Sequence, residues 1–230
     1  MTLKLRIFFS FLLIFSLQNI FALEITEKEI EGYIRGEYNR TFNYYGDISV
    51  IGSVALDNLI KFRGGVALGK AEGMTDIAAF TGVGYSPFLK VPLSFSLYYI
   101  YNGIPEFENN IHSILPFISY NAKWAGISVG VNFRFTSFFD EIAQFDSVLT
   151  LYVYVNLVVI ETLQIGLSAG NFNDFHAKNI SAYSLAVNSL IKLDERWTAV
   201  IDLELMQTGG GGLSSTLYGI AWRGGVKFSW

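Results

Sequence analysis

Hydrophobicity in this chain is cut into short alternating segments instead of being gathered into one long run. Between Leu149 and Val159, the residues Leu149, Leu151, Val153, Val155, Leu157 and Val159 alternate with Thr150, Tyr152, Tyr154, Asn156 and Val158. From Ala125 to Phe135 the odd positions are apolar, and Gly126, Ser128, Gly130, Asn132 and Arg134 lie between them. Segments Trp197–Leu205 and Leu93–Tyr101 repeat the pattern. Successive side chains of a strand point to opposite faces, so a period of two marks strands with one apolar and one polar face. The longest apolar stretch beyond the N-terminus, Val148–Ile160, is interrupted and falls short of the ~20 residues a spanning helix needs.

Turn residues divide the chain into strands expected near 29–42, 47–57, 59–70, 76–87, 92–103, 113–122, 124–138, 146–160, 163–173, 180–193, 197–208 and 214–230. Connections at Asp57-Asn58, Phe88–Val91, Asn121–Lys123, Glu161-Thr162 and Asp194–Arg196 read as tight. Those at Asn43–Gly46, Ala71–Thr75, Gly103–His112, Phe139–Phe145, Asn173–Asn179 and Gly209–Leu213 read as longer. Short turns alternating with longer loops fit the two ends of an all-β, transmembrane, up-and-down antiparallel barrel. Twelve strands are expected, with eight or ten as smaller versions.

The C-terminal segment sharpens this. Tyr218, Ile220, Trp222, Val226, Phe228 and Trp230 share one face, and Gly219, Ala221, Arg223, Gly225, Lys227 and Ser229 the other. A final strand that ends on an aromatic residue resembles the last strand of bacterial outer-membrane β-barrels, whose terminal aromatic is read by the assembly machinery. That resemblance implies that Phe228 and Trp230 act as an assembly signal and that the barrel assembly machinery and outer-membrane lipids are partners. At the other end, Lys4 and Arg6 precede an apolar stretch from Ile7 to Leu17, and small Ala22 offers a cleavage point. This is the layout of a secretory signal peptide over 1–22, leaving 23–230 as a single barrel domain exported to the outer membrane of a two-membrane bacterium.

Composition supports the same class. The chain is 51% hydrophobic and 16% aromatic, yet only 16% charged. A solvated exterior is designed with ~25–35% charged residues, which weighs against a soluble β-sandwich or lipocalin-like barrel. Aromatics near the segment ends, including Tyr44, Tyr45, Tyr98, Tyr99, Tyr101, Trp197, Trp222 and Trp230, are expected to form headgroup-level girdles. There is no cysteine, so neither a disulfide framework nor a thiolate metal site can form. A net charge of −4 gives no reason to expect nucleic acid as a partner.

If the apolar faces meet lipid, the other faces line a lumen. They carry Glu31, Arg35 and Glu37, then Lys61 and Arg63, Arg134, Asp202 and Glu204, and finally Arg223 and Lys227. Closing the barrel sets the first strand beside the twelfth, so Arg223 and Lys227 are expected near Glu31, Arg35 and Glu37. Asp202 and Glu204 of the eleventh strand are expected against the same basic pair, and acidic and basic residues face each other across a narrow lumen. Glycines on these faces either leave space or relieve strand curvature. A monomeric channel for small polar solutes results, similar in architecture to the small monomeric oligosaccharide porins, though without their strongly basic lumen. The alternative is a salt-bridged interior closing a structural or surface-recognition barrel.

No enzyme is expected. The two histidines, His112 and His176, fall in expected loops, so no outward histidine is available for a lipase-like pair. An acid and histidine pair of Asp174 and His176, near Asp140 and Glu141, lacks any demonstrated geometry for general-base work. The Gly209–Gly212 run has no following Lys-Ser/Thr for a phosphate loop, and neither metal-ligand spacing nor a cofactor motif is present.

Overall fold

A computed structural model describes residues 24–40, 43–71, 73–88, 91–138, 141–172, 175, 182–208 and 216–230. The expected signal peptide, Asp140, Asp174, His176 and the Gly209–Gly212 run lie outside the described residues. The elements in chain order are β1 (Ile25–Asn39), β2 (Asn43–Leu56), β3 (Ile60–Ala71), β4 (Met74–Tyr85) and β5 (Leu93–Ile104). After a short 3₁₀ turn (Pro105–Phe107) come β6 (Asn109–Asn121), β7 (Ala125–Phe138), β8 (Glu141–Val159) and β9 (Leu163–Gly170). The last three are β10 (Ala182–Lys192), β11 (Trp197–Thr208) and β12 (Thr216–Ser229).

Each strand pairs with its sequence neighbours, and β1 pairs antiparallel with β12, so the twelve strands close into one barrel. Closure leaves no strand edge with unpaired backbone groups, the condition for a sheet to lie in hydrocarbon. The outer face is apolar, with Ile34, Ile48, Val66, Leu97, Ile118, Leu149, Ile201 and Leu203 exposed. Aromatics ring both rims. Tyr38 and Tyr44 meet at 5.3 Å beside the β1–β2 connection, while Trp197, Phe228 and Trp230 stack at 4.7 and 5.4 Å at the opposite end. This is a membrane-spanning barrel surface.

Several expectations need correction. The connections 40–42, 72–73 and 139–140 are as short as the turns at the other end, because β2, β4 and β8 begin earlier than the sequence pattern marks. Only 171–181 and 209–215 are long on that side. Likewise β6 begins at Asn109, so His112 lies in a strand. It pairs with outward Tyr101 and Phe135 and therefore faces outward. Its Nδ1 lies 2.7 Å from the Tyr99 hydroxyl, and its ring lies 5.4 Å from that of Tyr101, so it belongs to the aromatic rim. Tyr45 and Tyr98, assigned to the girdles, point inward instead: Tyr45 donates to Asp76, and Tyr98 packs on Phe117. Near the end of β8 the register shifts between Asn156 and Val158, which turns Val158 to the outer face opposite Ile165.

Six of the inward glycines neither leave space nor simply bend strands. Tyr33 pairs with Gly225, Gly82 with Tyr98, Phe117 with Gly130, Gly126 with Tyr154, Tyr152 with Gly170, and Gly65 with Phe80. In each pair the ring occupies the place a Cβ on the glycine would need. Large rings thus lie flat along the wall where they would otherwise crowd the interior, an arrangement that also fixes strand register.

Candidate functional site

Inner and outer faces follow from register. Glu31, Arg35 and Glu37 on β1, Lys61 and Arg63 on β3, Arg134 on β7, Asp202 and Glu204 on β11, and Arg223 and Lys227 on β12 all lie on the inner face. Nine of these ten fall on one arc, β11–β12–β1–β2–β3. Arg134 stands apart, its Nε donating to Asp146 of β8 at 2.8 Å.

Within the arc, charges pair sideways along the wall, within a strand or with strands one and two places away, and do not oppose one another across the lumen. At the end where the chain enters β1, Glu29 takes Lys227 and Lys61, the latter at 3.1 Å, and accepts from Ser53 at 3.1 Å. Lys61 also meets Glu27 at 3.4 Å. One step along, Glu31 accepts from the Tyr33 hydroxyl and lies 3.6 Å from Arg63. Further along, Arg35 reaches Glu37 at 2.7 Å, Glu204 at 3.5 Å and Asp47 at 3.9 Å. Arg223 grips Asp202 with Nε at 2.6 Å and Nη2 at 2.5 Å, and its guanidinium lies 4.5 Å above the Tyr33 ring. The correction has a physical reason. Inward side chains within one strand, or one and two strands apart on a single arc, are within ionic reach of each other, and nine of the ten expected charges lie on that arc.

Several inner-face groups were missed in the sequence. Glu29 and Asp47 share the parity of Glu31 and Tyr45, a signal present but unused. On β2 the polar face is broken by Ile51, which is buried inside, and this obscured the alternation.

A buried apolar cluster inside the barrel joins Tyr33, Ile51 and Val200, from strands of the charged arc, to Phe80, Ile100, Leu115 and Phe117 of β4–β6. Phe172 and Phe175, from the connection after β9, fold inward onto it. Phe172 meets Phe117 at 4.9 Å and Tyr98 at 6.1 Å, and Phe175 meets Phe80 edge-on at 5.1 Å. Asn102 Nδ2 donates to the Phe175 carbonyl at 2.9 Å, and Asn171 bridges to the β8 backbone, accepting from Leu151 N at 2.8 Å and donating to Leu149 O at 2.9 Å. Asn171, Phe172 and Phe175 are therefore tied into the wall. Phe172 shares the parity of inward Gly166 and Gly170 in the expected strand 163–173, whereas nothing in the sequence marks Phe175 as inward-facing.

Between the charged arc and these rings lies a cavity of about 350 Å³, bounded by Arg35, Asp47, Arg63, Asp202, Glu204 and Arg223 on one side. Phe172, Phe175, Tyr152, Asn171, Ser168 and Asn188 line the other. Such a space has the size and lining of a small-molecule site, with charge and hydrogen-bonding groups on one hand and ring faces on the other. Among the described residues no group of acids and histidines is arranged to hold a metal ion.

No protein-family model matches the sequence, and no curated protein matches it. Solved structures do match in fold. A KdgM porin in complex with disordered oligogalacturonate superposes with a TM-score of 0.59 at 13% identity, over 88% of this chain and 99% of that one. The NanC porin gives 0.51 at 13% identity, over 86% of this chain and 98% of its own. The translocator domain of the autotransporter NalP from Neisseria meningitidis gives 0.51 at 9% identity, over 92% and 91%. The likeness is one of fold: a closed antiparallel barrel shared with outer-membrane proteins of porin type.

Proposed function

We propose that this protein is an outer-membrane channel through which small hydrophilic solutes or ions diffuse, with a preference for cations. The observation that carries the reading is the cavity of about 350 Å³ set against a charged arc inside a membrane-spanning barrel. On that arc the acids Glu27, Glu29, Glu31, Glu37, Asp47, Asp202 and Glu204 outnumber the bases Arg35, Lys61, Arg63, Arg223 and Lys227. A confined, low-dielectric passage lined by an excess of one sign concentrates counter-ions of the other. The protein is a monomer exported under the signal peptide at 1–22 to the outer membrane of a two-membrane bacterium, with no enzymatic role. Phe228 and Trp230 serve its delivery to the barrel assembly machinery.

The test is electrical. Purified, refolded protein in a planar bilayer gives discrete openings, and in a potassium chloride gradient its reversal potential has the sign of cation preference. A second reading, a closed barrel, is favoured by the Phe117, Phe172 and Tyr98 contacts that fill part of the interior. A correctly folded but electrically silent barrel would select it.

A further inference from the structure

The carboxylates lining the cavity are not equivalent. Asp202 is fully engaged, held by Arg223 and by Asn188 Nδ2 at 3.1 Å. Glu204 accepts from the Ser184 hydroxyl and lies 3.5 Å from Arg35. Asp47 differs. Its side chain is only 9% exposed, and its ion-pair partner, Arg35 Nη1, stands 3.9 Å away, beyond hydrogen-bond range.

Arg35 has little to spare for it, because the same guanidinium serves Glu37 at 2.7 Å and Glu204 at 3.5 Å. One cation is therefore shared among three carboxylates, and the group as a whole is negative. A buried carboxylate without a hydrogen-bond donor is costly, and a donor carrying positive charge relieves that cost best. The other wall of the same cavity offers the rings of Phe172 and Phe175. Aromatic faces take apolar bodies and add attraction for a nearby cation.

We infer that this cavity binds small organic ammonium ions with an apolar body. The ammonium donates to Asp47, and the body lies against Phe172 and Phe175. The inference rests on the channel reading for access from solution, and it names the solute class that the passage holds back from free diffusion. Asp47 is the specificity-determining residue. Arg63 and Arg223 line the same cavity, but Arg63 lies against Glu31 and Arg223 is engaged by Asp202, so Asp47 is the lining carboxylate whose nearest cation stands beyond hydrogen-bond range.

The probe is phenethylammonium chloride, compared with phenylacetate, which has the ring but the opposite charge, and ethylammonium, which has the charge but no ring. Calorimetry on the refolded barrel in detergent measures binding whether or not the lumen conducts, and bilayer recordings measure block of the open channel. Phenethylammonium is expected to bind at least tenfold more tightly than either control. Asp47→Asn is expected to abolish that preference and Asp47→Glu to retain part of it, while Phe172→Ala narrows the gap between phenethylammonium and ethylammonium. Equal binding of phenethylammonium and phenylacetate, or unchanged binding in a folded Asp47→Asn barrel, overturns the inference. Asp47-dependent binding without conductance retains the site and removes the channel. Conductance without binding does the reverse.

Discussion

Tyr33 of β1 and Gly225 of β12 face each other across the seam that closes the barrel, and the tyrosine ring covers the glycine. The same ring carries the Arg223 guanidinium 4.5 Å above it, so the seam is packed as well as hydrogen-bonded.

A methyl group at position 225 would overlap that ring and the backbone carbonyl of Gly32. Gly225→Ala is expected to destabilise the closed barrel by about 1–3 kcal/mol, the usual cost of overpacking. Gly224→Ala is the control, because the nearest atom to its added Cβ is the Trp222 ring at 3.9 Å on the outer face. Urea unfolding in detergent should separate the two variants, and equal midpoints would show that the seam yields easily.

Val187 and Ala186 sit side by side in β10 but on opposite faces. Val187 is 42% exposed on the outside, whereas Ala186 lines the cavity. Val187→Lys places charge in hydrocarbon and is expected to cost about 2–4 kcal/mol. Ala186→Lys is expected to fold and to shift the reversal potential toward anions. Similar stability of the two variants would contradict the assignment of faces.

Trp230 donates its backbone N–H to Lys28 O at 3.1 Å and stacks on Phe228, which in turn meets Trp197. Trp230→Ser removes the ring and keeps the backbone bond. Its expected effect is a several-fold drop in membrane-integrated protein, measured by heat-dependent gel mobility, with single-channel conductance unchanged in the molecules that do assemble. Normal membrane levels would show that the ring has no part in delivery.

The β10–β11 turn predicts an acid response outside the membrane. Asp194 accepts from the backbone N–H groups of Arg196 at 2.7 Å and Trp197 at 2.8 Å, and these bonds hold its carboxyl below the usual carboxylate range. A depressed folded-state value means that its contribution is present above the unfolded pKa of about 3.9 and is lost as pH falls through the lower folded value. Wild type and Asp194→Ala should therefore differ in unfolding midpoint near neutral pH and converge in strong acid. A gap that persists unchanged in acid would assign the effect to turn geometry alone.

Much of this architecture is legible in the residues. Period-two patterning locates all twelve strands to within a few positions, because lipid on one side of a sheet imposes alternation more strictly than a soluble core does. Parity assigns a side chain to a face, yet it says nothing of the partner across the seam. Strand order alone brings Arg223 beside Asp202, but the exact partners of Arg35 and the covering of Gly225 by Tyr33 depend on register and could not be read beforehand. Tyr154 makes the same point. As an inward residue it looks open to replacement, but its ring covers Gly126 and its hydroxyl donates to Ala122 O at 2.9 Å. Phe175 was hidden for another reason. A loop that turns inward is specified by the backbone bonds of Asn171 and Asn102, and neither residue announces them.

The β1–β12 junction has a mechanical consequence. Eleven of the twelve strand junctions are bridged by the chain itself, and this one is held by side chains and backbone bonds alone. The free ends of both strands, near Glu29 and Ser229, lie at the same rim. Tension applied between them would load the ladder one rung at a time, as a zipper opens, and would not shear all the rungs together. Pulled from its ends, the cylinder should part along this line at low force and peel into an open sheet, whereas the same force applied across any hairpin turn would meet a covalent link.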